Sequence, residues 1–153
     1  MDQFLVKRTS ASDPDFLDLI RELDADLWKR YQPYQAKYDA FNKVDDSARV
    51  VIVFQADQPA GCGCYRPISE PDCVEIKRMF VKPAGRGRGL ATRILRELEI
   101  WAAEEGYKTA RLETGIKQPE ALALYEKAGY HHIEKYGPYV GLNTSICLEK
   151  SLS

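Results

Sequence analysis

The sequence predicts an α/β fold of the α+β kind, in which helices flank one central, mixed and mostly antiparallel sheet. Three observations predict it. The 153 residues are about the length of a single domain, so we expect residues 1–153 to form one. Hydrophobic residues make up 44% of the chain, a share typical of globular proteins. Segments rich in β-branched residues alternate with segments whose apolar residues recur every three or four positions.

The first elements are predicted to be a strand and a helix. Phe4, Val6 and Arg8 recur at every second position, which favours a short strand. Pro14 stands at the first position of a helix that Ser12 or Asp13 can cap. The apolar side of this helix recurs at helical spacing, at Phe16, Ile20, Leu23, Leu27 and Tyr31. We expect Pro33 to end it, and a weaker helix over residues 36–44 to follow.

A hairpin and a third strand are predicted next. Arg49–Gln55 is rich in β-branched residues and predicts one strand, and residues 61–66 predict the return strand. We expect the turn between them at Asp57-Gln58-Pro59. A connection with two prolines, over residues 67–72, then leads to a strand over residues 74–81.

The second half of the chain predicts two helices and three strands. The first helix has one apolar face and ends near Gly106, and its apolar residues are Leu90, Ile94, Leu98 and Trp101. Strands are expected over residues 109–114, 130–133 and 145–148. Pro119 opens the second helix, and Gly129 lies just past its end.

Charge and apolar run length exclude several classes of protein. Lys and Arg number 22 and Asp and Glu 23, which gives a net charge of −1 and argues against a domain that holds nucleic acid by overall basicity. The longest aliphatic or aromatic run covers only residues 50–54, whereas a spanning helix needs about 20 apolar residues. The first residues have no basic and then apolar stretch of the secretory kind. We therefore expect a cytoplasmic protein that binds neither membrane nor nucleic acid.

The four cysteines are predicted to be small buried residues in a reducing compartment. Cys62-Gly63-Cys64 does not have the spacing of a zinc ribbon, Cys73 has no matching partner nearby, and Cys147 is the fourth cysteine. Metal or redox chemistry is the alternative. We expect no metal.

A glycine-rich turn is the most informative segment of the chain. The strand over residues 74–81 leads into Gly85-Arg86-Gly87-Arg88-Gly89, which opens directly into a helix. The unpaired N–H groups and the dipole at a helix N-terminus favour an anion such as a phosphate. The turn lacks the Gly-Lys-Ser/Thr of a P-loop, and Thr92 occupies the third glycine position of a dinucleotide-binding fingerprint. A solvated turn whose glycines only permit the bend is the alternative.

The wider spacing resembles the GNAT superfamily of N-acetyltransferases. Arg86-Gly87-Arg88-Gly89-Leu90-Ala91 is similar to that family's Arg/Gln-x-x-Gly-x-Gly/Ala signature. Leu112-Glu113-Thr114-Gly115, followed by a helix with Leu124-Tyr125 and the ending Gly129-Tyr130, resembles the second half of the family pattern. These motifs cover about residues 74–133.

The resemblance implies acetyl-CoA as cosubstrate. In the family the fourth and fifth strands splay apart, and the pantetheine arm binds the exposed backbone of the fourth. The implied pantetheine-binding residues are Met79, Phe80 and Val81. The implied pyrophosphate loop consists of Arg86, Gly87, Arg88, Gly89, Leu90 and Ala91. Gln118 stands where the family often has a cofactor-contacting Asn.

The resemblance also implies two catalytic residues. Glu75 lies where the histone-acetyltransferase branch places its general base, and a carboxylate can deprotonate an acceptor amine. The alternative is that Glu75 pairs with Lys77 or Arg78. Tyr125 matches the tyrosine that protonates the departing thiolate, and the alternative is a core aromatic residue.

The acceptor is implied to be a primary amine, and we expect a small molecule. Tyrosines come from regions that wall the acceptor site in the family, and they are Tyr31, Tyr34, Tyr38, Tyr136 and Tyr139. Packing alone is their alternative role. A protein N-terminus or lysine as acceptor, a non-catalytic acyl-CoA-binding module and a homodimer all stay open.

Overall fold

A computed structural model describes residues 4–31 and 47–153 of the chain. The predicted helix over residues 36–44, with Tyr34 and Tyr38, lies outside the described residues. The side chain of Tyr31 is also outside the description.

One sheet forms the centre of the molecule, and its strands confirm the predicted fold class. Its seven described strands are β1 (Phe4–Ser10), β2 (Arg49–Gln55), β3 (Gln58–Pro67), β4 (Cys73–Val81), β5 (Thr109–Gly115), β6 (His131–Ile133) and β7 (Ser145–Ser151). They lie in the order β1-β2-β3-β4-β5-β7-β6. The β4–β5 pair is parallel and the other five pairs are antiparallel. The sheet is therefore mixed and mostly antiparallel.

Helices cover both faces of this sheet. The described helices are α1 (Pro14–Tyr31), α2 (Leu90–Glu104) and α3 (Pro119–Lys127). On one face, Phe16 and Leu19 of α1 pack against Val50 and Ile52 of β2. On the other face, the apolar side of α2 packs into a larger core, which includes Ile94, Leu98, Val51, Ile76 and Leu112. We call these two sides of the sheet the α1 face and the α2 face.

The β2–β3 turn lies earlier than the sequence predicts. Ala56 and Asp57 form it with φ of +50° and +65°, and positive φ at both central residues is the geometry that strand twist favours in two-residue hairpins. Gln58 and Pro59 already belong to β3, so the predicted turn at Asp57-Gln58-Pro59 is wrong by about one residue. Pro59 is tolerated in the strand because the β2–β3 register shifts beside it.

β4 and β5 separate halfway along their length. Their pairing runs from Cys73 opposite Thr109 to Ile76 opposite Leu112 and stops there, whereas β4 continues to Val81 and β5 to Gly115. The splaying implied by the resemblance is thus confirmed. The gap leaves backbone groups of β4 available to a ligand, and we call it the cleft.

The cysteines are buried, as predicted. Cys62, Cys64, Cys73 and Cys147 are all free thiols with little solvent exposure. Burial raises the pKa of the Cys73 thiol to about 11, so this thiol is protonated at neutral pH. Across residues 4–31 and 47–153, no helix combines the length and apolar character needed to cross a membrane.

Candidate active site

A bulge in β4 decides which side chains face the cleft. Arg78 has a φ of +60°, and the β3–β4 register shifts between Cys62 and Cys64 opposite it. After the bulge, Met79 packs against the α2 core and Phe80 against the α1 core. Such bulges recur next to active sites because they redirect side chains.

The glycine-rich turn places backbone donors at the start of α2. Gly87 and Gly89 have φ of +81° and +74°, conformations that favour glycine. The first helical bond runs from the N–H of Arg93 to the carbonyl of Gly89 at 3.1 Å, so earlier N–H groups lie at the open end of the helix. A pocket of about 180 Å³ lies here, lined by Gly85, Arg86, Gly87, Gly89, Leu90, Ala91 and Thr92, with Val81 and Leu124. A pocket at a helix N-terminus suits a phosphate group.

A larger groove extends from this pocket along β4 and α3. Its volume is about 340 Å³, and Met79, Phe80, Val81, Gln118 and Tyr125 line it. It shares four lining residues with the turn pocket, namely Val81, Arg86, Ala91 and Leu124. The implied cofactor residues therefore line one continuous depression, with the exception of the exposed Arg88, which is not among the residues lining either part.

Two implied cofactor residues bind backbone groups of the protein. The Nε–H of Arg86 donates to the carbonyl of Val81 at 3.0 Å, which ties the turn to the end of β4. The side-chain oxygen of Gln118 accepts a bond from the N–H of Gly115 at 3.3 Å. Gln118 thus holds the β5–α3 turn while it lines the groove.

Tyr125, on α3, lines the groove. Only 6% of its surface is exposed, and its ring packs edge-on to Tyr130 with 6.0 Å between centroids. Burial, and then the charge of Glu113, raise the pKa of the Tyr125 phenol. The phenol is therefore protonated at neutral pH and can donate a proton.

Glu75 is held on the α1 face by charged and hydroxyl side chains. It is 2% exposed, and its Oε1 lies 3.1 Å from a terminal nitrogen of Arg66 and 3.6 Å from Nζ of Lys77. The Tyr136 hydroxyl donates to its Oε2 at 2.8 Å. The alternative that Glu75 pairs with Lys77 is confirmed. Arg78 instead bonds Asp24 of α1 at 2.5 Å.

Glu113, on β5, is a carboxylate whose role the sequence did not indicate. The Ser145 hydroxyl donates to its Oε2 at 2.6 Å. Burial above all, with a contribution from the charge of Glu75, raises the pKa of Glu113 to about 7, against the lowering effects of Ser145 and Lys77. A pKa near 7 suits a general base at neutral pH. One feature of the sequence could have indicated a role for Glu113: it is a charged residue between Leu112 and Thr114, which are both buried.

The two tyrosines of the β6–β7 loop lie against the carboxylate of Glu75. Tyr136 and Tyr139 pack edge-to-face with 5.4 Å between centroids. Nζ of Lys77 donates to the Tyr139 hydroxyl at 3.3 Å. Of the five tyrosines considered for the acceptor site, Tyr136 and Tyr139 therefore lie beside Glu75 and Lys77 on the α1 face. Within the described ranges, 4–31 and 47–153, His, Cys, Asp and Glu side chains form no cluster of three suited to a metal ion.

The fold is that of an acyltransferase, and comparisons with known proteins identify the family. The profile of the acetyltransferase (GNAT) family matches residues 14–130. The chain is 31% identical to an IAA acetyltransferase of Azospirillum brasilense, over 99% of this chain and 100% of that one. The chain therefore belongs to the GNAT family of N-acetyltransferases.

Solved structures agree with this assignment. The structure of a proposed acyl-CoA N-acyltransferase from Klebsiella pneumoniae has a TM-score of 0.81, with 30% identity and coverage of 99% of both chains. An aminoglycoside 6'-N-acetyltransferase complexed with coenzyme A has a TM-score of 0.73 over 97% of both chains. Its identity is only 17%, so this second likeness concerns the fold.

Proposed function

We propose that the protein transfers the acetyl group of acetyl-CoA directly to a primary amine of a small molecule. One observation carries the proposal: the continuous depression that runs from the α2 N-terminus along β4 to Tyr125. Its phosphate-binding end and its open strand edge fit the two ends of a CoA thioester.

The residues present fit acetyl-CoA, which supplies an acyl thioester when bound. The N–H groups of Arg88, Gly89, Leu90 and Ala91 are the proposed pyrophosphate ligands. The backbone of Met79, Phe80 and Val81 is proposed to bind the pantetheine arm, since β5 has moved away from that part of β4. A backbone N–H fixed beside the acyl oxygen stabilises developing negative charge without reorganisation.

Glu113 is the proposed general base, in preference to Glu75. An alkylamine has a pKa of about 10 and is mostly protonated at pH 7, so it must lose a proton before it attacks. Glu113, with a pKa of about 7, is about half ionised at neutral pH and accepts that proton on Oε1 or Oε2. Both oxygens of Glu75 already accept bonds from neighbouring side chains. Ser145 fixes the orientation of the Glu113 carboxylate.

Tyr125 is the proposed general acid. As the N–C bond forms and the C–S bond breaks, its hydroxyl donates a proton to the leaving sulfur. Burial keeps the phenol protonated until that step because it raises the phenol's pKa. The nitrogen loses two protons in all: Glu113 takes the first before attack, and the second, released as the N–C bond forms, passes to the Tyr125 phenolate. Tyr125 is thereby restored, and the proton on Glu113 is released to solvent.

A small-molecule acceptor is supported by the relatives whose names state a small substrate. These are the IAA acetyltransferase and the aminoglycoside 6'-N-acetyltransferase. A protein N-terminus or lysine is the alternative acceptor.

The test measures thiol release from acetyl-CoA with a panel of small amines and lysine-containing peptides. We expect amine-dependent release with wild-type protein and equal amounts of acetylated amine by mass spectrometry. Glu113→Gln is the matched control, because it keeps the shape of the side chain and removes the base. Binding of acetyl-CoA with no thiol release on any amine would instead indicate a non-catalytic acyl-CoA-binding module.

A further inference from the structure

Two consecutive cations of β4 lie on the same face of the sheet. Successive strand residues normally point to opposite faces, but the bulge at Arg78 breaks this alternation. Lys77 contacts Glu75 and Tyr139, and Arg78 contacts Asp24 of α1, so both side chains lie on the α1 face. The exposed fractions of these two side chains are 5% and 4%.

The carboxylates described around these cations are shared, solvent-exposed or only partly ionised. One oxygen of Glu75 is shared between Arg66 and Lys77. The partner of Arg78 is Asp24, whose side chain is 52% exposed and well hydrated. Glu113, a further carboxylate whose charge acts on Lys77, is only about half ionised at neutral pH. Because buried charge is costly without a counter-charge, this region favours a ligand that brings a negative charge.

Arg78 also has an unused hydrogen-bond donor. Its side chain is almost fully buried, and its Nε–H has no hydrogen-bond partner among the described residues. One terminal nitrogen is bonded to Asp24. Guanidinium groups bind carboxylates through two parallel N–H donors, so the free Nε–H marks a direction from which an anion can be bound.

We propose that the acceptor is an aminocarboxylate, whose carboxylate binds Arg78 and Lys77 while its amine faces Glu113. This rests on the proposed function above. Arg78 directly precedes Met79, whose backbone lies at the acyl site, and consecutive Cα atoms are about 3.8 Å apart. A carboxylate subsite and the acyl site are therefore within reach of one small molecule. Polycationic acceptors are disfavoured, since they would add positive charge beside two buried cations.

The test compares acceptors that differ only in the carboxylate. Amino acids and their amides are offered as pairs, and kcat/KM is measured by thiol release from acetyl-CoA. We expect wild-type protein to prefer the amino acid by about tenfold or more, the worth of a charge-assisted hydrogen bond. Equal use of both members of every pair would overturn the proposal.

Substitutions at Arg78 test whether this residue binds the carboxylate of the acceptor. Arg78→Gln should lower kcat/KM for the amino acid about 10- to 100-fold and leave the amide nearly unchanged, and Arg78→Lys should restore part of the loss. Asp24→Asn is the matched control, because it breaks the Arg78–Asp24 pair but keeps the guanidinium. If Asp24→Asn reduces amino acid use as much as Arg78→Gln does, the ion pair is purely structural and the proposal is wrong.

A binding measurement separates this proposal from the proposed function. The melting temperature of the CoA-saturated protein is measured with an amino acid and with its amide. Stabilisation by the amino acid alone, absent in Arg78→Gln, would support the subsite even if no thiol were released, and would contradict only the proposed function. Neither stabilisation nor turnover would contradict both.

Discussion

Two glutamates of neighbouring strands, Glu75 of β4 and Glu113 of β5, have different surroundings. Glu75 is bonded by Arg66, Lys77 and Tyr136, which hold its carboxylate in place. Glu113 accepts a bond from the Ser145 hydroxyl, and burial raises its pKa to about 7. The first environment suits a structural anchor for the β6–β7 loop, and the second suits a proton acceptor.

The pH dependence of the rate distinguishes these two glutamates. A base must be deprotonated to act, so kcat/KM should rise with pH through about 7 and then level off. Glu113→Gln should remove the rising limb and lower kcat/KM by about 10²- to 10⁴-fold. Glu75→Gln should keep that limb and lower the melting temperature. A profile flattened by Glu75→Gln and kept by Glu113→Gln would reverse the assignment.

Tyr125 can be tested by removal of its hydroxyl alone. Tyr125→Phe keeps the ring contact with Tyr130 and removes the proton donor. We expect kcat to fall by about 10²-fold, with a much smaller rise in the KM for acetyl-CoA. Steady-state kinetics measures both. An unchanged kcat would leave Tyr125 as a core aromatic residue.

The roles of single residues were only partly predictable. The motif positions pointed to Tyr125 and the turn glycines, which line the groove and the turn pocket, because backbone conformation and spacing are local properties. The environment of Glu113 depends on β7, since Ser145 comes from a distant part of the chain. The partners of Glu75 come from β3 and the β6–β7 loop. Such contacts leave no local pattern in the sequence.

At the scale of elements, periodicity predicted most of the described helices and strands. Helical spacing located α1 and α2, and β-branched runs located β2 and β4. The hairpin turn was misplaced because Pro59 was assigned to the turn, whereas a register shift accommodates it in β3. The bulge at Arg78 was not predicted, since nothing in an arginine side chain signals a positive φ.

Close packing between β3, β4 and α2 supports the floor of the groove. A Cβ on Gly61 would lie 2.8 Å from the carbonyl oxygen of Phe80 and 3.0 Å from a methyl of Ile94. Gly61→Ala should therefore lower the free energy of unfolding by about 1–3 kcal/mol and raise the KM for acetyl-CoA.

Gly85→Ala is the control for this prediction. Its Cβ would meet only side chains, with the nearest atom of Leu90 at 3.1 Å, so the loss should be smaller. Denaturant unfolding measures both variants. Equal stabilities of Gly61→Ala and wild-type protein would show that β4 can shift freely.

At the scale of the whole molecule, the net charge is close to zero, although basic residues are concentrated in two places. The chain carries a net charge of −1, yet five basic residues follow one another closely: Lys77, Arg78, Lys82, Arg86 and Arg88. The bulge and the end of β4 divide them, with Lys77 and Arg78 on the α1 face and Arg86 and Arg88 at the turn. We assign the first group to the acceptor carboxylate and the second to the region of the cofactor phosphates.

The resemblance to the GNAT family predicted the fold well, but it did not identify the acceptor. Strand order and the β4–β5 gap follow from the shared family, to which the chain belongs. Acceptor choice depends on side chains that differ between relatives, since function lies in sites carried by a fold.

Acetyl-CoA binding in the cleft is the central claim, and the melting temperature tests it most directly. A ligand that binds only the folded state stabilises it by about 2.7 kcal/mol at 100 times its Kd. For a chain of this size, that corresponds to a rise of about 5–10 °C. We predict this rise with acetyl-CoA and none with ATP or NAD at equal concentration. No rise at saturating acetyl-CoA would contradict the account.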